Sequence, residues 1–224
     1  MPLPITAFAE GTPGSMIVQW CVKGLHLSDD DEAKLLIDSG GGLLCNWWRN
    51  VGQIKPVEIR QKLTPGNIDR HVNHFTKTDP ATGHPFAKNS PFISLSAGTV
   101  DRDAVARTNL VHRARKTALW FGTQFGQYDF AYLYTCWVIL APRAAVDIEG
   151  IAEEVRDLNA YRRYSAYQTE GEIAAKVNVP DNQISHCEKW ELHGSPRKRF
   201  SKAWTHVNPR FTPPEILTNV RELI

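Results

Sequence analysis

The sequence predicts a single α+β domain of many short strands and only two or three helices. Tyr132 to Leu140 is continuously apolar and is stopped by Pro142, the pattern of a strand buried on both faces. Other apolar runs are short and bounded by Pro or Gly, as Phe92-Ile93-Ser94-Leu95-Ser96 is by Pro91 and Gly98. Few stretches have helical spacing, and none repeats another. The chain has 224 residues, 42% of them hydrophobic, which is enough for one sizeable core.

The elements follow in chain order. Ser15 to Val22 reads as a strand. Ser28, followed by three aspartates and Glu32, is an N-cap with an acidic first turn. That helix runs through Ala33, Leu35, Leu36 and Ile37 and stops at Gly40-Gly41-Gly42, where glycine tolerates a left-handed cap. Leu43 to Arg49 is an apolar run ending on a cation, expected as a buried strand that delivers Arg49 to an edge or cleft. Residues 50–90, rich in Pro, Gly, Asn and His, are expected as loop with a short helix from Pro56 to Leu63. Asp101 to Phe121 has helical spacing, with Val105, Leu110, Val111, Ala114, Ala118 and Phe121 on the buried face. Residues 147–158 read as a short acidic helix, Asn159 to Tyr167 as a loop, and Gln183 to Leu192 as a final strand. Residues 1–42 are expected as an N-terminal segment packed on a catalytic unit of residues 43–224.

Composition excludes several classes. With 26 basic against 24 acidic residues the net charge is +2, which favours neither nucleic acid nor membrane. The basic tail Arg197-Lys198-Arg199, with Trp190, Phe200 and Trp204 interleaved, is the one feature that suits a nucleic acid. Cys21, Cys45, Cys136 and Cys187 form no CxxC pair and are expected as free, mostly buried thiols, with disulfides left open for a secreted chain. His71, His74 and His84 follow no metal-ligand spacing and are read as loop residues, so no metal is assigned. The N-terminus lacks a signal-peptide pattern, and no apolar stretch approaches the roughly 20 residues of a membrane span. A soluble protein is expected, either cytoplasmic or a secreted or translocated toxin or effector.

The chemistry concentrates at Glu170-Gly171-Glu172. On an extended strand Glu170 and Glu172 point to the same side. Two close carboxylates are unfavourable unless one holds its proton or a cation lies between them. Alone, the pair reads as a solvated strand edge. It is accompanied by Arg49, a guanidinium suited to a pyrophosphate, and by Ser94 and Ser96 alternating on another strand.

In this order (Arg, Ser-x-Ser, Glu-x-Glu) the chain resembles the cholera-toxin-like mono-ADP-ribosyltransferases. The match is strongest from Tyr132-Leu133-Tyr134 and Ala141-Pro142, through Glu170-Gly171-Glu172-Ile173, to Val179-Pro180 and Gln183-Ile184. Leu95 stands where the family has Thr, and the tight run of residues after the family's arginine is absent after Arg49. The resemblance covers roughly residues 45–192. It implies two small, mostly antiparallel sheets packed around an NAD cleft with a few flanking helices. It also implies an enzyme that cleaves NAD+ as co-substrate and transfers ADP-ribose to an acceptor protein.

The roles implied are specific. Glu172 is the catalytic carboxylate, stabilising the cation that develops on the ribose as nicotinamide leaves. Ser94 holds Glu172, and Arg49 anchors the NAD+ phosphates or ribose. Ser96 is structural or lines the nicotinamide pocket, whose stacking aromatic is Phe121, Phe125 or Tyr134. Glu170 positions the acceptor and favours arginine. Tyr164 and Tyr167 belong to the target-recognition loop. Gln168-Thr169-Glu170 also spells Gln-x-Glu, so an alternative register makes Glu170 catalytic and favours another acceptor. NAD+ glycohydrolase, transfer to a DNA or RNA base, and an inactive binding module of the same fold are the rival readings. A delivery or activator subunit is left open.

Overall fold

The computed structural model describes residues 17–52, 56–80, 82–98, 113–140, 151–153, 171–194, 198–214, 220–221 and 223. Fifteen named elements follow in order. They are β1 (Ile17–Leu25), α1 (Asp30–Asp38), β2 (Leu43–Leu44), α2 (Asn46–Val51), α3 (Pro56–Lys62), α4 (Pro65–Asn73), β3 (Phe92–Ser96) and α5 (Ala114–Gly122). Then come β4 (Phe130–Leu140), β5 (Ile151–Glu153), β6 (Glu172–Lys176), β7 (Asn178–Val179), β8 (Ile184–His193), β9 (Arg199–Val207) and β10 (Val220–Arg221). The expected α+β class is observed, with one large, mostly antiparallel sheet, one small sheet and a few helices.

The large sheet has the order β10-β1-β3-β6-β5-β4-β8-β9, and β1 also pairs with β4. The strands β1, β3, β6, β5 and β4 therefore close into a ring of pairings. Its longest seam is antiparallel, from Ile17 opposite Leu140 to Leu25 opposite Tyr132. Residues directly opposed in such a ladder share a face. One face of the seam and of β8 thus carries Cys21, Lys23, Tyr132, Tyr134, Cys136, Cys187 and Lys189. The other carries Val22, Ala131 and Leu133.

Each face has its own cover. The first lies under α1, where the Tyr134 hydroxyl donates to Ala33 O at 2.8 Å. Asp30, in the first turn of that helix, accepts from Tyr132 Oη at 2.7 Å, Lys189 Nζ at 2.8 Å and Trp204 Nε1 at 3.0 Å. Those bonds hold its carboxyl down at about pKa 2. The opposite face packs against α5 through Val22, Ala118, Leu119 and Leu133. Gly24 permits that approach, because a Cβ there would stand 1.8 Å from Ala118 O. β1 and α1 are thus built into the sheet and its core.

Several local expectations are corrected. Asp29, not Ser28, caps α1, accepting from Glu32 N at 2.8 Å, while Ser28 N donates to Glu32 Oε2. The run from Leu43 to Arg49 is strand only at Leu43–Leu44, and α2 then begins behind Cys45, whose Sγ accepts from Trp48 N. A short apolar run fits a buried helix turn as well as a strand, and here Trp47 points into the core. The loop expected over residues 50–90 contains α4, capped by Thr64 with Pro65 in the first turn. Residues 151–153 form β5 rather than part of an acidic helix. On α5, Ala114 and Ala118 are buried as expected but Phe121 is 47% exposed, and Leu119 takes the buried place. Val105, Leu110 and Val111 lie outside the described residues. All four cysteines are buried and none is in a disulfide, and burial pushes the Cys136 and Cys187 thiols up to about 12.

The corner after β6 is held in an unusual conformation. Val177, a β-branched residue, has φ 65°, a region such residues rarely enter. It is fixed from two sides: its N–H donates to Pro91 O and its carbonyl accepts from Cys45 N, both at 2.8 Å. The strand that begins at Glu172 therefore ends on a joint shared with the approaches to β3 and α2.

Asp30 should dominate the acid stability of the α1 face. Its carboxyl lies below its ordinary value, so the stabilisation is present above about pH 4 and is lost as pH falls toward 2. Asp30→Ala should cost about 0.5–1.5 kcal/mol at neutral pH, because solvent screens the partly exposed carboxylate, and flatten the stability profile in that acid window. Denaturant titrations at stepped pH check both.

Candidate active site

Four elements bring polar side chains together at the head of β6. Β3 and β6 are antiparallel with Ser96 opposite Glu172 and Ser94 opposite Ala174. Ser94, Ser96 and Glu172 therefore share one face. Glu172 and Ser96 are buried. Ala174 presents only a methyl group opposite Ser94, which leaves room for a larger side chain above.

His71 of α4 fills that room. Its Nε2 lies 2.9 Å from Ser94 Oγ and 3.6 Å from Glu172 Oε1, and its Nδ1 lies 2.7 Å from Ser90 Oγ. Only 1% of its side chain is exposed. Phe75 meets the ring edge-on, and Phe92 also packs against it. Ser90 Oγ accepts from Phe92 N and donates to Phe92 O. The bonding pattern thus assigns the Nδ1 proton to a bond toward Ser90. Nε2 is then the atom that meets Ser94 and faces Glu172. The bond expected between Ser94 and Glu172 is replaced by a relay: Ser94 holds His71, and His71 stands against the carboxylate.

A lysine of β1 stands opposite Tyr134 in the ladder to β4. Lys23 is half-buried in a strand whose neighbours Val22 and Gly24 are fully buried. Burial lowers its pKa, while the charge of Glu172 acts in the opposite direction and supports the ammonium. Lys23 lies on the face of β1 opposite to Val22, whereas Val22 pairs with Ser96 and Ser96 with Glu172.

Arg49 occupies a different position. It lies exposed in the last turn of α2, where its backbone N donates to Cys45 O at 3.1 Å. The expectation of a strand-end arginine in the cleft is corrected: the α2 turn directs its neighbour Trp47 inward, so Arg49 faces solvent. Glu170, Gln168, Tyr164 and Tyr167 lie outside the described residues. Of the candidate nicotinamide-stacking rings, Phe125 is 66% exposed at φ 59°, and Tyr134 is fully buried under α1.

Gly171 sets the entry of Glu172 into the sheet. Its φ is +68°, and a Cβ there would stand 2.3 Å from Gly98 C and O. The two backbones touch where Ala97 N donates to Gly171 O at 2.9 Å. This close approach extends the β3–β6 register by one bond and fixes the first residue of β6.

His71 and Lys23 were missed in the sequence, and both left signals. Thr64-Pro65 is a helix start that would place His71 on a helix. Lys23 interrupts an apolar strand next to a glycine, a position that burial penalises unless a partner waits there.

No protein-family model matches the chain, and no curated protein matches it. Among solved structures it is similar to EcPltA, at 12% identity over 92% of this chain and 94% of that one, with a TM-score of 0.49. It is also similar to a heat-labile enterotoxin double mutant, at 18% identity over 85% of this chain and 62% of that one, with a TM-score of 0.41. An arginine-to-lysine mutant of heat-labile enterotoxin gives 16% identity, coverage of 86% and 75%, and a TM-score of 0.39. The chain thus spans just under two thirds of the double mutant. At TM-scores below 0.5 these likenesses assign neither a family nor an activity. Among the described residues no group of His, Cys, Asp and Glu is arranged to hold a metal, and no helix is long and apolar enough to cross a membrane.

Two outcomes test this geometry. Gly171→Ala should destabilise the protein by more than about 2 kcal/mol, because it adds backbone strain and overpacking at one point; thermal unfolding reads it. His71→Ala and Ser94→Ala should be non-additive in stability, with a coupling of about 1 kcal/mol. A double-mutant cycle giving additive losses would rule out the relay.

Proposed function

We propose that this chain is a mono-ADP-ribosyltransferase that cleaves NAD+ and passes ADP-ribose to a protein acceptor. The observation that carries the reading is the register of β3 and β6, which sets a buried Glu172 opposite Ser96, with Ser94 and His71 beside it. Ser94, Ser96 and Glu172 are distant in sequence, and here they share one face of one ladder.

The chemistry follows from the charges. As the bond between nicotinamide nitrogen and ribose C1 breaks, its electron pair leaves with neutral nicotinamide and the ribose becomes an oxocarbenium-like cation. Glu172 accepts a hydrogen bond from the ribose 2-hydroxyl and faces that cation with a fixed negative charge. His71, locked between Ser90 and Ser94, fixes the wall of the site against which the carboxylate stands. Ser96 borders the nicotinamide side of the site. The acceptor nucleophile then bonds to C1 and loses its proton to Glu170. A carboxylate at 170 suits a guanidinium, so an arginine side chain is the favoured acceptor. Tyr164, Tyr167 and Gln168 keep their proposed place in target recognition, and a nucleic acid is the less favoured target.

The decisive assay is incubation with NAD+, scored for nicotinamide release and for labelled acceptor, with arginine-rich protein and guanine-containing oligonucleotide in parallel. Glu172→Gln should lower nicotinamide release by about 10²–10³-fold. Glu170→Ala should remove transfer while sparing hydrolysis. Loss of both activities in Glu170→Ala would overturn the division of roles, and absence of nicotinamide release with every acceptor would sink the enzyme reading.

A further inference from the structure

Helix α5 carries its charges at the wrong end. The first N–H groups of a helix have no partner within it, and they mark its positive pole. A side-chain oxygen or an acidic first turn ordinarily answers them. At α5 the cap position is held by Arg113, which makes no side-chain capping bond, and the first turn has no acidic residue. Arg115 and Lys116 follow instead, while the last turn, where cations are favoured, has none. Three cations therefore crowd the pole that repels them.

The sheet beneath adds to this charge. Ladder registers arrange one face of β4, β8 and β9 in rows, with Thr135, His186 and Val207 in one and Leu133, Glu188 and Thr205 in the next. Glu188 is buried, and its oxygens lie 2.9 Å from Trp190 Nε1, 3.0 Å from Lys202 Nζ, 3.8 Å from Arg115 Nη1 and 3.9 Å from His186 Nε2. One carboxylate thus gathers two cations and leaves the group net positive. The Arg115 and Lys202 side chains are about half exposed, so both can reach a ligand. In the first row Thr135 is only 5% exposed, and its Oγ1 has no hydrogen-bond partner among the described residues. That is a costly state for a buried hydroxyl. Opposite Thr135 on β1 is Val22, which belongs to the same packed cluster as Ala114 and Leu133. The orphaned hydroxyl therefore lies on the face over which α5 starts.

We infer that the N-terminus of α5 is a binding site for a phosphoryl group, held by the first-turn N–H groups, Arg115 and Lys202, with the Thr135 hydroxyl at its base. A tetrahedral dianion supplies what these groups lack. It is an acceptor for the helix N–H groups and for Thr135, and a countercharge for cations that a single carboxylate does not balance. The site is separate from the one at Glu172. From Val22, under α5, the ladders lead to Ser96 and Glu172 on one side and to Thr135 and His186 on the other. The helix stands between the two, and the inference does not depend on the role of Glu172.

The test is calorimetric titration of the full chain with inorganic phosphate, and separately with glycerol phosphate, at fixed ionic strength and with or without NAD+. Thermal unfolding is followed in parallel. Wild-type protein should bind one phosphate and melt at a higher temperature when it is present. Arg115→Gln and Lys202→Gln should each weaken binding by about tenfold or more. Thr135→Val keeps the shape of the side chain and should weaken binding by about two- to tenfold without lowering the melting temperature. Arg113→Asp supplies the missing cap and a negative charge. It should raise the melting temperature of the ligand-free protein and remove the further rise that phosphate gives, and it serves if Lys202→Gln does not fold. Glycerol phosphate binding at least as tightly as the free ion identifies an ester as the ligand, and weaker binding identifies the free ion. Phosphate affinity should be the same with NAD+ present and in Glu172→Gln. Competition by NAD+ overturns a separate site. Absence of phosphate binding, or an affinity that none of the four substitutions changes, overturns the inference and leaves the reading of Glu172 to its own assay.

Discussion

The antiparallel seam between β1 and β4 holds the rest of the molecule in place. Because opposed residues share a face, one ladder divides the core in two, with α1 on one side and α5 on the other. It also fixes Lys23 two residues from the Asp30–Tyr132 contact and beside Tyr134. The ring of pairings through β3, β6 and β5 returns to the same seam, so Glu172 cannot slip in register without moving Ser96 and then β1. A one-residue slip would turn each of these side chains to the opposite face.

A polar cluster inside such a ring is costly unless each group finds a partner. Both ring nitrogens of His71 meet serine hydroxyls, and its ring stands beside the carboxylate. The apolar walls around it, including Phe92, Phe75 and the methyl of Ala174, keep the groups in fixed rotamers. The backbone carries strain at the same place, with Val177 at positive φ closing β6 and Gly171 opening it. Both are held by hydrogen bonds to segments that lead into β3 or out of it. Rigidity at the two ends of a five-residue strand is what a preorganised carboxylate requires.

Much of the fold was legible because it depends on local pattern. Phe92–Ser96 alternates and is bounded by Pro91 and Gly98, and the strand observed has those limits. The apolar run from Tyr132 and the acidic start of α1 were equally plain. Arg49 misled because the run before it is too short for periodicity to separate strand from helix. His71 was read as a loop residue because the helix around it is short and rich in Asn, Asp and Gly neighbours, which weaken helical spacing. The strand at Arg199–Val207 alternates half-buried and exposed residues, yet its basic start drew attention as a charged tail.

The sequence by itself determined which residue types were present for chemistry, Glu172 and the Ser94–Ser96 strand among them, and that each lies on an element of strand period. Those are properties of a few consecutive residues, set by alternation and by Pro and Gly punctuation. Only the tertiary structure decided that Arg49 ends in an exposed helix turn and that His71 stands between Ser94 and the carboxylate. Those contacts join segments far apart in the chain, and their geometry follows from ladder registers and helix placement that no local pattern encodes.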